Sequence, residues 1–179
     1  MPDNSSATAS KEIRAVVLGT CHEFQRHQDT SADRERVRAD YENLLRKMIE
    51  ERRVSLVAEE ASDDKAVWES LKKDEEFAAG FGGLFGAFKT VDSPVPTIAS
   101  DVAKEYGAKH ADVDVDIRAR EGDAESIAKR DAAMTEKILS ARGDAESVLV
   151  IVGEAHRAGV VGQLKNAGWA TQSFHFPDA

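Results

Sequence analysis

Two histidines stand at the same offset behind a glycine: Gly19-x-x-His22 near one end of the chain and Gly153-x-x-His156 near the other. Each pattern follows an apolar, β-branched run, in "VVLGTCHEFQ" and in "VLVIVGEAHRAG". A third apolar run, "VSLVAEEAS", ends in Glu59 and Glu60. Neutral imidazoles beside carboxylates suit a divalent transition metal (zinc, manganese, cobalt or iron), and a metal with an open position activates water. His22, His156 and Glu59 are the candidate ligands, with the second carboxylate, Glu60, as candidate general base; Glu59 can exchange roles with it. The competing interpretation is plain: polar residues gather wherever strands meet solvent. There is no His-Glu-x-x-His signature, so the pattern does not choose among metals.

Asp131 is the next telling position. Ile127, Met134 and Ile138 form an apolar stripe, and at about 100° per residue Asp131 falls in its middle. A buried carboxylate has to be paired or hydrogen-bonded. Asp131 and its neighbour Arg130 therefore read as a structural ion pair or as catalytic groups, the arginine stabilising negative charge that develops on a substrate. In "AKHADVDVDIRAR", strict alternation places His110, Asp112, Asp114 and Asp116 on one side of a strand, with His110 and Asp116 as candidate substrate contacts. Cys21 beside His22 could be an activated nucleophile, although a lone cysteine at a strand end is more often a small apolar filler.

The elements that must position these residues follow from periodicity. "IRAVVL", "VSLVA", "SVLVIV" and "ATQSFHF" read as strands, as does the alternating "AKHADVDVD". Helices are expected over "SADRERVRADYENLLRKMIEERR", "DDKAVWESLKKDEEFAAG", "TIASDVAKEYG", "DAESIAKRDAAMTEKILSAR" and "RAGVVGQLKNAG". In the first of these, Val37, Tyr41, Leu44, Leu45, Met48 and Ile49 share one face. Residues 81–95 carry glycines and phenylalanines without a period and suit a lid loop. They match neither a dinucleotide fingerprint nor a P-loop, so no nucleotide is expected. Strands alternating with helices argue an α/β fold with a mainly parallel sheet of about five strands. Helical crossovers put all the strand carboxyl ends along one edge, where His22, Glu59, Glu60, Asp114, Asp116 and His156 could meet.

Composition bounds the rest. A chain of 179 residues is most simply one domain, here 11–179 behind a polar, disordered tail over 1–10 that lacks the apolar core of a signal peptide. The net charge of −9 disfavours a broad phosphate-binding surface, and so nucleic acid, without excluding a local positive pocket. The single cysteine forms no internal disulfide, and no apolar run reaches membrane-spanning length. A cytoplasmic protein acting on a small molecule or peptide, with no membrane partner, is the expectation; oligomeric state is left open.

The motifs "GTCHEFQ", "LVAEEAS", "GAKHADVDVD", "KRDAAM" and "VGEAH" together resemble the TraB/PrgY/Tiki group, which is related in fold to the ChaN and erythromycin-esterase-like proteins. The resemblance covers most of the chain from Ile13 onward. It implies a functional set of His22, Glu59 or Glu60, Arg130 and His156, joined by Gln25 from "HEFQ". For activity it implies a metal-dependent hydrolase of peptide, ester or amide bonds, or a protein that binds a metal, haem, small molecule or peptide without turnover. Typical TraB proteins are larger, and no transmembrane tail of their kind is expected here.

Overall fold

The computed structural model describes residues 13–21, 25, 32–60, 97–115 and 123–176. The runs that precede the two Gly-x-x-His patterns are neighbouring parallel strands, β1 (Arg14–Thr20) and β4 (Ser147–Gly153). Both continue to or through their glycine rather than stopping before it. Their register is offset by one: Gly19 pairs with Val152, and Gly153 with Thr20. The two glycines are therefore not equivalent positions of the sheet.

Around this pair lie β2 (Leu56–Glu59), β3 (Lys109–Asp112) and β5 (Ala170–His175), giving a five-stranded sheet in the order β3-β2-β4-β1-β5. Every pairing is parallel, as an α/β chain with helical crossovers requires. β4 is central and buried at every position, which is why its sequence is unbroken Val, Leu and Ile rather than alternating.

Four helices flank the sheet among the described residues: α1 (Ala32–Arg52), α2 (Ile98–Glu105), α3 (Ala124–Ala141) and α4 (Glu154–Asn166). Strand alternation sends Val16, Leu18, Val57, Leu149 and Ile151 to one face. There they pack with Tyr41, Leu45, Met48 and Ile49 of α1 and with Ile98, Ala99, Val102 and Ala103 of α2. Ala15, Val17, Leu56, Val148, Val150 and Val152 take the other face, against Met134 and Ile138 of α3 and Val160 and Leu164 of α4. The face expected for α1 is the one it buries.

Two expected boundaries move. The strand "AKHADVDVD" ends at Asp112, because Asp112 Oδ1 accepts the Asp114 N–H at 2.8 Å and turns the backbone out of the ladder. The last helix begins at Glu154 rather than after His156, so His156 lies in its first turn. The tail over 1–10, the helix expected over 63–80 and the lid expected over 81–95 lie outside the described residues. No described helix is long and apolar enough to cross a membrane.

β4 runs directly into α4 on one face, whereas the next described helices after β1 and β2, α1 and α2, pack on the other. Chains that leave adjacent strand ends in opposite directions open a crevice between them. The carboxyl end of β4 lies between described helices packed on opposite faces, α1 and α2 on one and α4 on the other.

Candidate functional site

Glu59 and Glu60 are consecutive at the end of β2, and alternation sends their side chains to opposite faces of the sheet. Both are fully buried. A carboxylate in that position must meet hydrogen-bond donors, and the donors define two separate polar nests.

On the α3/α4 face, Glu60 Oε1 accepts from Arg130 Nη2 at 2.9 Å and Oε2 accepts from the Gly153 N–H at 2.7 Å. The same Arg130 nitrogen reaches Asp114 Oδ1 at 2.5 Å. One guanidinium thus joins the ends of β2 and β3 to α3. Asp114 is further fixed by Lys137, whose ammonium donates to its backbone carbonyl.

Beside this ion pair, Asp131 Oδ1 lies 2.6 Å from His156 Nδ1. Both residues are buried, at 4% and 8% exposure. The apolar stripe of α3 carries Asp131 to α4, and the first turn of α4 carries His156 to meet it. With Asp131 ionised and the imidazole neutral, Nδ1 holds the ring proton and donates it, which leaves the lone pair on Nε2. That nitrogen stands 3.8 Å from Glu60 Oε1, beyond hydrogen-bond reach, so the contact does not tie it up. Burial raises the Asp131 pKa above the usual range, and the His156 hydrogen bond opposes part of that rise.

Two glycines permit this assembly in different ways. A Cβ on Gly159 would fall 1.8 Å from Asp131 Oδ2, so only glycine lets the Asp131 carboxylate lie against α4. Gly153 supplies its N–H to Glu60 from the cap of α4. Gly19 acts elsewhere, since a Cβ there would lie 2.0 Å from Glu154 Oε2 and 2.7 Å from Arg157 Cδ. It makes room for the exposed cluster in which Glu154 pairs with Arg157 and, at 2.8 Å, with His175 Nδ1. The Arg157 hydrogen bonds hold the Glu154 carboxyl below its usual pKa.

On the α1/α2 face, Glu59 Oε2 accepts from Thr97 Oγ1 at 2.5 Å and faces His110 Nε2 at 2.8 Å. Thr97 is also the N-cap of α2, accepting from the Ser100 N–H at 3.1 Å. The other carboxylate oxygen, Oε1, has no hydrogen-bond partner among the described residues. Neither has the hydroxyl of fully buried Tyr41, whose pKa is pushed well up by burial and then by the charge of Glu59.

Of the residues singled out by sequence, the structure brings Glu60, Arg130, Asp131 and His156 together, and separately Glu59 with His110. It does not bring Glu59 to His156. His110 and Asp114, expected on one side of β3, face opposite nests because the strand ends between them. Gln25 is buried, and its backbone carbonyl accepts the Ile98 N–H at the start of α2 at 3.0 Å. Cys21 is exposed. His22 and Asp116 lie outside the described residues. Sequence reasoning did not find Thr97 as a partner of Glu59, or Gly153 as a donor to Glu60. Neither has a signal beyond a cap residue and a strand-end glycine. Gly159 did have one, since a glycine inside a helix costs stability and invites a reason.

The nest around His156 fits a metal in one respect: a ligating imidazole characteristically gives its other N–H to a carboxylate, as His156 does to Asp131. Among the described residues, no three His, Cys, Asp or Glu side chains form a metal-holding group. The other described imidazoles, His110 and His175, are engaged by Glu59 and Glu154, and His22 lies outside the described residues. No protein-family model matches this chain, and no curated protein or solved structure matches it.

Proposed function

We propose that the crevice on the α3/α4 side of the sheet edge is a hydrolase site centred on His156, for peptide, ester or amide bonds. The observation that carries this reading is the Asp131–His156 contact at 2.6 Å, which fixes the ring and presents Nε2. A lone pair held this way takes a proton from water or coordinates a cation. His156 and His22 would hold the metal, a divalent transition ion that supplies an activated water when bound. Arg130, held in place by Glu60 and Asp114 which share its charge, would donate a hydrogen bond to the oxyanion that develops when a carbonyl is attacked. The resemblance to the TraB/PrgY/Tiki group supports the same chemistry.

A second reading, binding without turnover, is favoured by Glu60 itself. Both of its oxygens already accept hydrogen bonds, so it is poorly placed to take a proton as general base.

Elemental analysis of the purified protein, followed by turnover of peptide, ester and amide substrates, tests these readings. Zinc, manganese, cobalt or iron in the parent, lost from both His156→Ala and His22→Ala together with turnover, is the expected result. Turnover abolished in His156→Ala with no metal in the parent would leave the hydrolase standing and remove the metal. Metal retained by the parent with no turnover would favour the binding protein. A parent with no metal, no thermal shift on adding these ions and no turnover would overturn the proposal.

A further inference from the structure

At the opposite end of the strands from Glu60 and His156, a groove of about 710 Å³ opens between the end of α1 and the starts of β1, β4 and β5. Its volume is that of small-molecule pockets. Arg14, Arg52 and Arg53 line it, and Glu51 is the only acidic residue among the described residues on the lining. In a chain of net charge −9, three guanidinium groups around one groove are a local reversal of sign.

The three arginines are held differently. Arg52 is fixed: its Nη1 donates to Gln172 Oε1 at 2.5 Å, and its guanidinium lies 5.6 Å from the centre of the Phe174 ring. Arg14 and Arg53 meet no carboxylate among the described residues. Arg53 is the more telling of the two. It follows the last residue of α1, where its N–H bonds Glu50 O at 3.2 Å and the Val54 N–H bonds Ile49 O at 3.0 Å. That is a Schellman ending, whose left-handed position is normally glycine. Arg53 occupies it at φ 50°, and it is the only non-glycine residue with positive φ among those described. A side chain kept where glycine would be unstrained points to a use for the side chain.

We propose that this groove binds a small, multiply charged oxyanion, a phosphate ester or a polycarboxylate. Arg14 and Arg53 would supply paired N–H donors, and Arg52 a fixed positive wall. Arginine is suited to this because its planar fork matches the oxygen pairs of both groups. A nucleic-acid backbone is disfavoured by the negative charge of the rest of the chain.

The backbone strain at Arg53 separates binding from folding in the test. Calorimetric titration of the full chain with pyrophosphate and with citrate, in about 0.15 M salt, should show saturable one-to-one binding of at least one of them. Arg14→Gln and Arg53→Gly should each weaken it tenfold or more. Arg53→Gly should also raise the melting temperature of the ligand-free protein, by about 2–4 °C, because glycine relieves the left-handed position. Preference for pyrophosphate would assign a phosphate ester, and preference for citrate a polycarboxylate; either supports the site. No binding of either anion at that salt, or parent-like binding by both variants, would overturn it.

Discussion

Asp131 and His156 lie 25 positions apart in the sequence and meet at 2.6 Å between two helices on one face of the sheet. Each is placed by its own helix: Asp131 by the apolar stripe of α3, His156 by the first turn of α4. The contact therefore reports on the packing of both helices. Its pH dependence can be stated with its sign. The net effect on Asp131 is a pKa raised above the ordinary value of 3.8, with burial the larger cause. The folded state then binds this proton more tightly than the unfolded state. The contribution of the group to stability is fully present below the unfolded pKa and is lost as pH rises through the raised folded value. Urea unfolding from about pH 3 to pH 6 should show the parent losing stability relative to Asp131→Asn across that window. A parent that gains on the variant over the same range would contradict the direction of the shift.

Gly159 and Gly162 make a paired test within α4. Both sit inside the helix, where glycine costs about 0.5–1 kcal/mol relative to alanine. A Cβ on Gly162 meets nothing within 4 Å, so Gly162→Ala should stabilise the protein by about that amount. The Cβ of Gly159→Ala would fall 2.7 Å from Asp131 Cγ as well as 1.8 Å from Oδ2. Asp131 must swing away, and His156 loses its partner, at a cost of about 1–3 kcal/mol for a buried polar group left bare. Urea midpoints should therefore move in opposite directions. Equal stabilisation by both substitutions would mean that Asp131 adjusts freely.

Much of this arrangement is legible in the sequence, and the exceptions have physical causes. The alternation of strands and helices, the buried run of β4 and the buried carboxylate at Asp131 all follow from periodicity. The adjacent glutamates are expected in one crevice because both follow the same strand. The period of two that identifies a strand also sends consecutive residues to opposite faces, and burial at the strand end preserves that parity. His110 and Asp114 fail in the reverse sense. Their spacing predicts a shared face only while the strand lasts, and the turn made by the Asp112 side chain ends it first. The matched Gly-x-x-His patterns suggest matched roles, yet the register offset gives their glycines different neighbours.

Thr97 carries two contacts with one side chain, as the cap of α2 and as a donor to Glu59. Losing an N-cap costs about 0.5–2 kcal/mol. Removing a donor from a buried carboxylate adds about 1–3 kcal/mol. Thr97→Ala should thus destabilise by about 1.5–5 kcal/mol, more than the cap contributes by itself. Thr97→Ser keeps the hydroxyl and should recover most of the loss in the same denaturant titration. A Thr97→Ala cost below about 1 kcal/mol would show that Glu59 does not depend on this hydroxyl.

Tyr41 offers the opposite case, a polar group whose removal should help. The ring is fully buried and packs at 57° against Phe176, with centroids 5.2 Å apart. Its hydroxyl has no hydrogen-bond partner among the described residues, and the nearby charge of Glu59 adds to burial in raising its pKa. A buried hydroxyl without a partner loses its water contacts and gains nothing in return. Tyr41→Phe keeps the ring and deletes only the oxygen, so it should raise stability by about 1 kcal/mol, read as an increased urea midpoint at unchanged slope. A water bridging the hydroxyl to the unpartnered Glu59 oxygen would reverse the sign, because a satisfied hydroxyl is worth about that much. Combining Tyr41→Phe with Glu59→Gln in a double variant distinguishes the two cases. Without a bridge, the effect of removing the hydroxyl stays favourable on either background. With one, Tyr41→Phe costs stability beside the native Glu59 and costs less on the Glu59→Gln background, leaving a coupling energy that two non-interacting groups would not show.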